Sequence, residues 1–262
     1  LSEKPMALTL QDAEKMIETA KENDRKLGCI FQTRYNESVV TLKKMIEEGQ
    51  FGTLVSARSY LAWDRSKAYY AGSPWKGTWD KEGGGVLIDQ AIHSVDRVRY
   101  LAGSEVDYVE GAIHNRAHPY LQVEDTVEAC VHFKNGILYN LYAYDYNGAD
   151  SPINIEFIGT KGSFGLIQDL GYSQIDGVRK EYREVEPGEA VGPSYWGTTH
   201  VMQLRDFYHS VRENLPVTIS GEEGWKTLEL VKGIYRSGLS HQRVDFPFVD
   251  APIPKETDAK KL

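Results

Sequence analysis

The stretch that most constrains this sequence is Gly83-Gly84-Gly85-Val86-Leu87-Ile88-Asp89-Gln90-Ala91-Ile92-His93-Ser94-Val95-Asp96. Its spacing predicts a helix, and residues four apart on a helix lie on the same face. Asp89 and His93 are therefore expected to be neighbours, in a pair that fixes the histidine tautomer and raises its basicity, as a general base requires. The alternative is a solvated helix face with a chance histidine. A second stripe of the helix is apolar and can face a core: Ile88, Ala91, Ile92, Val95 and Val98.

Composition limits the classes of protein to which this chain can belong. Its 262 residues, 41% hydrophobic and 26% charged, are typical of a globular protein of one large or two smaller domains. The net charge of −8, without a basic cluster, argues against nucleic acid and acidic membranes as partners. No apolar run is long enough to span a membrane. Cys29 and Cys130 lie in apolar segments, which indicates buried thiols of a cytoplasmic protein.

The N-terminal part of the sequence has the pattern of a parallel α/β unit. Thr9 and Asp12 resemble a capping box, and apolar residues at helical spacing predict a helix over 9–25. Residues 28–32 then form a predicted buried strand, and a second helix is predicted over 37–48. A helix followed by a buried strand is the closing piece of a parallel sheet.

The character of the sequence changes after residue 53. Predicted strands follow one another with short turns, and Asn135-Gly136 between two of them is a strong hairpin signal. We therefore predict an α+β fold with an open, mainly antiparallel sheet and helices on one face. The predicted strand 137–144 is apolar on both faces. A second subunit is expected to cover the face that the helices leave open, giving a homo-oligomer, either a dimer or a tetramer.

Two further segments could contribute to a site. Lys4, between Glu3 and Pro5, lies where a preceding parallel strand would end, and ligands bind at the carboxyl ends of such strands. The alternative is a surface lysine near a terminus. Residues 83–85 could bring backbone N–H groups close to a ligand at a helix N-terminus, but they lack the GxGxxG spacing of a dinucleotide fingerprint.

Histidine and aromatic residues supply weaker candidates. Asp89 and His93 could be half of a metal site, but no third ligand with suitable spacing is evident, so no metal is predicted. His200, after Tyr195 and Trp196 and before a predicted helix, is a possible substrate contact. Aromatic residues in the 64–82 loop, Trp75 among them, suit a sugar-binding cleft.

Taken in order, several segments resemble the glucose–fructose oxidoreductase, inositol dehydrogenase and rhizopine-catabolism (Gfo/Idh/MocA) family. The resemblance extends to about residue 248, and it depends on the ordered set because single motifs are weak. The matching segments are Glu3-Lys4-Pro5, Gln32-Thr33-Arg34-Tyr35-Asn36, the Gly83–Asp96 stretch, Phe133-Lys134-Asn135-Gly136, Ile158-Gly159-Thr160-Lys161-Gly162-Ser163 and Ile234-Tyr235-Arg236-Ser237.

The resemblance implies an NAD- or NADP-dependent dehydrogenase of a sugar, polyol or related cyclic alcohol. It implies that Lys4 orients the reacting hydroxyl, that His93 takes its proton, and that Asp89 holds both in place. Glu3, Lys4 and Pro5 are then expected at the cofactor. The expected substrate-binding residues are Arg34, Tyr35, Trp75 and His200.

The same resemblance implies a division of the chain. Residues 1–33 match only the last helix and strand of a dinucleotide-binding Rossmann domain, without its glycine-rich pyrophosphate loop, and 34–262 match the substrate-binding and oligomerisation domain.

Two other functions stay open on the residues alone. One is a non-redox sugar-binding or assembly module, and the other is a cofactor-independent lyase or isomerase that uses the Asp89–His93 pair.

Overall fold

A nine-stranded mixed sheet organises the part of the chain that the computed structural model describes, residues 1–183, 199–254 and 257–261. Its strands are β1 (Leu54–Ala62), β2 (Val106–His114), β3 (Thr126–Phe133), β4 (Leu138–Tyr144), β5 (Asn154–Gly159), β6 (Gly162–Ile167), β7 (Leu170–Ile175), β8 (Val178–Tyr182) and β9 (Val244–Asp245). The helices are α1 (Leu10–Glu22), α2 (Glu37–Glu47), α3 (Lys67–Ala71), α4 (Ile92–Ala102), α5 (His200–Arg212) and α6 (Gly221–Ser240).

The strands follow the spatial order β8-β7-β6-β5-β1-β4-β3-β2-β9. Only β1 and β4 pair in parallel, in the register Ser56 to Leu138 through Ala62 to Tyr144, while the other pairs are antiparallel. This arrangement confirms the predicted α+β class with a large, mainly antiparallel sheet. The hairpin at Asn135-Gly136 is also confirmed, with Gly136 at φ +89°, a backbone conformation that favours glycine.

The helices α2, α4 and α6 pack against one face of the sheet. Along β4 the side chains alternate, so that Tyr139 and Leu141 are buried while Tyr142 is 36% exposed. Tyr60 of the neighbouring β1 is 40% exposed, and its ring stacks on Tyr142 with centroids 5.9 Å apart. The described structure therefore has one covered and one open sheet face, as the pattern of β4 predicts.

The N-terminal segment matches its prediction only in part. Helix α1 begins after Thr9, whose hydroxyl accepts a hydrogen bond from the Asp12 N–H at 3.1 Å. The strand predicted over 28–32 is wrong in extent, because this segment makes only isolated bridges, from Cys29 to Ser2 and from Gly28 to Ser220. The assignment of residues 1–33 to a Rossmann domain stays a prediction.

Candidate active site

A cavity of about 630 Å³ lies where the N-terminal segment meets the start of the helix that carries Asp89 and His93. Its walls bring together Glu3, Lys4, Asp89, His93 and His200, five of the residues singled out from the sequence. Small-molecule sites have volumes of roughly 300–1,000 Å³. The cavity therefore has the size of a ligand site, and these five residues supply an ammonium, two carboxylates and two imidazoles.

The glycine run that precedes this helix is required by close packing. A Cβ atom on Gly84 would lie 1.9 Å from the Tyr235 hydroxyl oxygen, and one on Gly85 would lie 1.9 Å from the Glu124 carbonyl oxygen. The buried Glu124 carboxylate accepts hydrogen bonds from the N–H groups of Gly85 and Leu87 at 2.9–3.0 Å and from the Tyr235 hydroxyl at 2.8 Å. These N–H groups are thus occupied by the protein, so the possibility that they bind a ligand is not supported.

The helix does not begin as a regular α-helix. Residues Leu87–Ala91 form a π-helical turn that passes into α4 at Ile92. A π-helical turn adds a residue between hydrogen-bonded partners and shifts side chains that four-residue spacing would stack. Asp89 and His93 share the cavity, but the described structure has no hydrogen bond between them. The prediction that Asp89 fixes the tautomer of His93 is therefore wrong.

The Asp89 carboxylate is held by other groups. Its Oδ2 atom accepts hydrogen bonds from the Tyr69 hydroxyl at 2.8 Å, the Gln90 side chain at 2.7 Å and the Lys76 ammonium at 3.2 Å. The Lys4 Nζ atom lies 3.5 Å from Oδ1 and donates a shorter bond of 2.6 Å to the Asp89 carbonyl oxygen. Burial alone would raise the pKa of Asp89, but Lys4 and Lys76 lower it below its usual value.

The His93 ring lies in a less polar environment than expected. Its Nδ1 atom is buried and has no hydrogen-bond partner in the described structure, and the Phe31 ring meets it edge-on with centroids 6.1 Å apart. Burial lowers the pKa of His93 well below its usual value, and the charges of Lys4 and Arg97 lower it further. Asp89 does raise the pKa of His93, as predicted, but burial and the two cations outweigh it, so the expected net gain in basicity is wrong. A neutral imidazole is nevertheless able to accept a proton at neutral pH.

Arg34 does not line the cavity, and its contacts argue against the predicted role in substrate binding. Its guanidinium is 5% exposed and forms a bidentate pair with Asp96, at 2.8 Å from Nε and 2.6 Å from Nη2. The Nη1 atom donates to Glu223 at 3.0 Å. Arg99 also contacts Glu223, so the cluster joins α4 to α6 and Arg34 belongs to the structural core.

Three other predicted residues lie outside the walls of the cavity. The Tyr35 hydroxyl donates to Asp206 of α5 at 2.6 Å, which makes it an interhelical contact and contradicts its assignment to the substrate. Trp75 is 43% exposed on the loop and approaches the cavity through Lys76, whose Nζ lies 5.0 Å from its ring centroid. Pro5 follows Lys4 without lining the cavity. Tyr195 and Trp196 lie outside the described residues.

Sequence reasoning missed several residues of the cavity wall. Lys76 and Tyr69 come from the loop and the short helix α3, and Trp63 and Arg65 follow the end of β1. The Arg65 guanidinium lies 4.6 Å from the Trp63 ring centroid and 3.0 Å from Asp150. The 64–82 segment has no hydrophobic period, and its richness in aromatic and basic residues was the only signal available.

Metal-binding clusters and membrane-spanning helices are both absent from the described residues. Residues 1–183, 199–254 and 257–261 contain no group of three or more His, Cys, Asp or Glu side chains placed to hold a metal ion. Within the same ranges, no helix combines the length and apolar character needed to cross a membrane. Both cysteines are free, Cys29 buried and Cys130, contrary to expectation, only partly buried.

Comparison with known proteins shows which oxidoreductases this chain is similar to. Residues 39–165 match the GFO/IDH/MocA C-terminal domain. A levoglucosan dehydrogenase of Pseudarthrobacter phenanthrenivorans is 25% identical over 290 aligned residues, which cover 96% of this chain and 74% of that protein. These matches support a Gfo/Idh/MocA family oxidoreductase.

Solved structures support the same assignment at the level of the fold. A levoglucosan dehydrogenase in complex with NADH and levoglucosan has a TM-score of 0.81 and 25% identity, over 94% of this chain and 73% of that one. The WlbA dehydrogenase from Bordetella pertussis, in complex with NADH and UDP-GlcNAcA, has a TM-score of 0.79 and 26% identity, over 95% of this chain and 71% of that one.

Proposed function

We propose that this chain carries the substrate-binding and acid–base residues of an NAD- or NADP-dependent oxidoreductase that acts on a hydroxyl of a sugar, polyol or related cyclic alcohol. The observation that carries the proposal is the convergence of Lys4, Asp89 and His93 on one cavity, although 85 positions separate the first two. The similarity to dehydrogenases named for carbohydrate substrates supports the same reaction class.

Each of the three residues has a role that its surroundings support. The Lys4 ammonium, tethered to the Asp89 carbonyl oxygen, can donate a hydrogen bond to the reacting hydroxyl and favour its ionised form. His93, kept neutral by its lowered pKa, accepts the hydroxyl proton. Asp89 stays ionised beside its two lysines and can accept a hydrogen bond from a second hydroxyl, which orients the ring.

The donor set is compatible with a nicotinamide cofactor. A nicotinamide bound here would supply the hydride acceptor for the carbinol carbon, while His93 would take the hydroxyl proton. His93 lines the same cavity as Lys4 and Asp89, so its imidazole would lie beside a substrate held against the nicotinamide. Glu3 and Lys4 line the cavity, and with Pro5 they would border the nicotinamide end.

The proposal extends to the organisation of the chain. Residues 1–33 would belong to the dinucleotide-binding domain, and 34–262 would form the substrate-binding and oligomerisation domain. A second copy would cover the open sheet face, where Val55, Tyr60 and Ile158 are 40–50% exposed. Such a protein would act as a dimer or a tetramer on a small polar substrate.

A substrate panel tests the proposed reaction. A protein that joins this chain to a complete dinucleotide-binding domain is assayed for NADH or NADPH formation with levoglucosan, myo-inositol and glucose, with His93→Ala as the matched control. Formation of reduced cofactor with at least one carbohydrate, lost in the control, is the expected result. Carbohydrate binding by calorimetry without cofactor reduction would favour the non-redox binding module. Conversion of the carbohydrate without any cofactor would favour the lyase or isomerase.

A further inference from the structure

Lys76 is a second lysine of the cavity wall, and the proposed reaction leaves it without a role. It lies on the loop between α3 and the π-helical turn, and its side chain is 13% exposed. It faces the same carboxylate as Lys4, from another element of the structure. The two lysines make different hydrogen bonds with Asp89, so they can have different roles in the site.

The two oxygen atoms of Asp89 are shared unequally between the two lysines. Oδ2 accepts hydrogen bonds from Lys76, Tyr69 and Gln90, at 2.7–3.2 Å. Among the described residues, Oδ1 has only the longer Lys4 contact at 3.5 Å, since the best hydrogen bond of Lys4 is to a neutral carbonyl oxygen. The close charge partner of the carboxylate is therefore Lys76, and Lys4 keeps the capacity to donate to a ligand.

Lys76 is itself held in place by aromatic side chains. Its Nζ atom lies 3.6 Å from the Tyr69 ring centroid and contacts the Tyr69 hydroxyl. The Trp75 ring lies 5.0 Å away. Cation–π contacts of this kind restrict an otherwise flexible side chain. Tyr69 thus contacts both Lys76 and Asp89, and the three groups form a closed set.

We propose that Lys76 and Tyr69 are a positioning pair that clamps Oδ2 of Asp89, holds the carboxylate ionised and away from His93, and so leaves Lys4 to bind the reacting hydroxyl. The assignment of Lys4 in this statement rests on the proposed function. The clamp occupies Oδ2, and Oδ1 keeps the long contact with Lys4 at 3.5 Å.

The charges that face Asp89 come from four parts of the chain. Lys4 belongs to the N-terminal segment, Tyr69 to α3, Lys76 and the buried Glu82 to the loop, and His93 to α4. Lys4 and Lys76 favour the ionised carboxylate, and Glu82 opposes it when it is charged. Removing Lys76 leaves one cation, at the longer distance.

Titration of Asp89 by NMR tests the clamp directly and needs no substrate. The carboxyl carbons of aspartate are labelled with ¹³C, and the Asp89 signal is assigned with Asp89→Asn. In Lys76→Met we expect the Asp89 midpoint to rise by at least about one pH unit, the lower end of the effect of a close opposite charge. Lys67→Met, which removes an exposed lysine of α3, should leave the Asp89 midpoint unchanged. Lys76→Arg keeps a positive charge at this position and should bring the midpoint most of the way back to the parental value.

Tyr69→Phe provides a second variant that removes one hydroxyl group and little volume. It should raise the Asp89 midpoint by less than Lys76→Met. A parental midpoint in both Lys76→Met and Tyr69→Phe would overturn the clamp. Because the titration is independent of turnover, a shifted midpoint in a protein without dehydrogenase activity would support the clamp and reject the proposed reaction.

A kinetic measurement connects the clamp to catalysis. With levoglucosan and NAD⁺ as probes, Lys76→Met should lower kcat/KM by about 10- to 100-fold, and the acidic limb of its pH profile should move upward with the Asp89 midpoint. Lys76→Arg should recover the profile. Equal loss at every pH, with no movement of the limb, would assign Lys76 to general stability of the loop and overturn its positioning role.

Discussion

The substitution Arg34→Met separates a structural from a substrate-binding role for this arginine. It removes three hydrogen bonds, two to Asp96 and one to Glu223. Asp96 is fully buried, so its carboxylate would lose its charge partner without gaining contact with water. In the described structure the only other side-chain donor to Asp96 is the Thr227 hydroxyl, at 2.8 Å. Glu223 keeps its contact with Arg99. The main consequence is thus an uncompensated buried carboxylate.

The expected cost follows from that burial. Breaking a buried ion pair by removing one partner destabilises a protein by about 3–5 kcal/mol. For a chain of this size 1 kcal/mol corresponds to about 2–4 °C in Tm, so the melting temperature should fall by roughly 6–20 °C. The assay is chemical and thermal unfolding, followed by circular dichroism.

Arg58→Met is the matched control. Arg58 pairs with Glu156 at 2.6 Å, a similar distance, but its side chain is 71% exposed. Exposed ion pairs contribute about 0–1 kcal/mol. Equal stability losses in Arg34→Met and Arg58→Met, together with weaker substrate binding in Arg34→Met, would refute the structural assignment and restore Arg34 to the substrate site.

Three further predictions concern charge and assembly. Asp89→Asn should raise the KM for the carbohydrate more than it lowers kcat, and steady-state kinetics showing the reverse would contradict its holding role. Burial, followed by the charge of Asp89, raises the pKa of Glu82 to about 8, so the folded protein holds a proton that the unfolded chain releases above its usual carboxylate pKa. This effect lowers stability as pH rises from about 4.5 to 8, and urea unfolding should show a shallower decline in Glu82→Gln, by up to about 1.4 kcal/mol per pH unit. Light scattering should show an oligomer that the double variant Tyr60→Glu/Tyr142→Glu dissociates, and a monomeric parent would exclude the proposed interface.

Local signals were sufficient to predict much of the fold. Strand β2 and the two strands flanking Asn135-Gly136 are encoded by alternation and by turn residues within a few positions. The π-helical turn could not be predicted in this way. It depends on Glu124 and Tyr235, which approach the glycine run from distant parts of the chain.

The candidate site was predictable where a motif marked it. Lys4, Asp89, His93 and His200 do line one cavity. Lys76 and Tyr69 lie in a loop without periodicity, and only the fold brings them to Asp89. Arg34 was predicted to contact a ligand because it is a charged residue in a segment that resembles the family. Its actual partners, Asp96 and Glu223, lie 62 and 189 positions away in the sequence and could not be inferred from local signals.

The most direct test of the central claim is the steady-state turnover of His93→Ala, measured over a range of levoglucosan concentrations with saturating NAD⁺ in a preparation whose parent form turns over. A positioned general base contributes about 10²–10⁴-fold to the rate. We expect turnover to fall by that factor while the KM for the carbohydrate stays near the parental value, since the lost interaction grows in the transition state. Near-parental turnover in His93→Ala would contradict the account and leave Lys4 as the group that takes the proton.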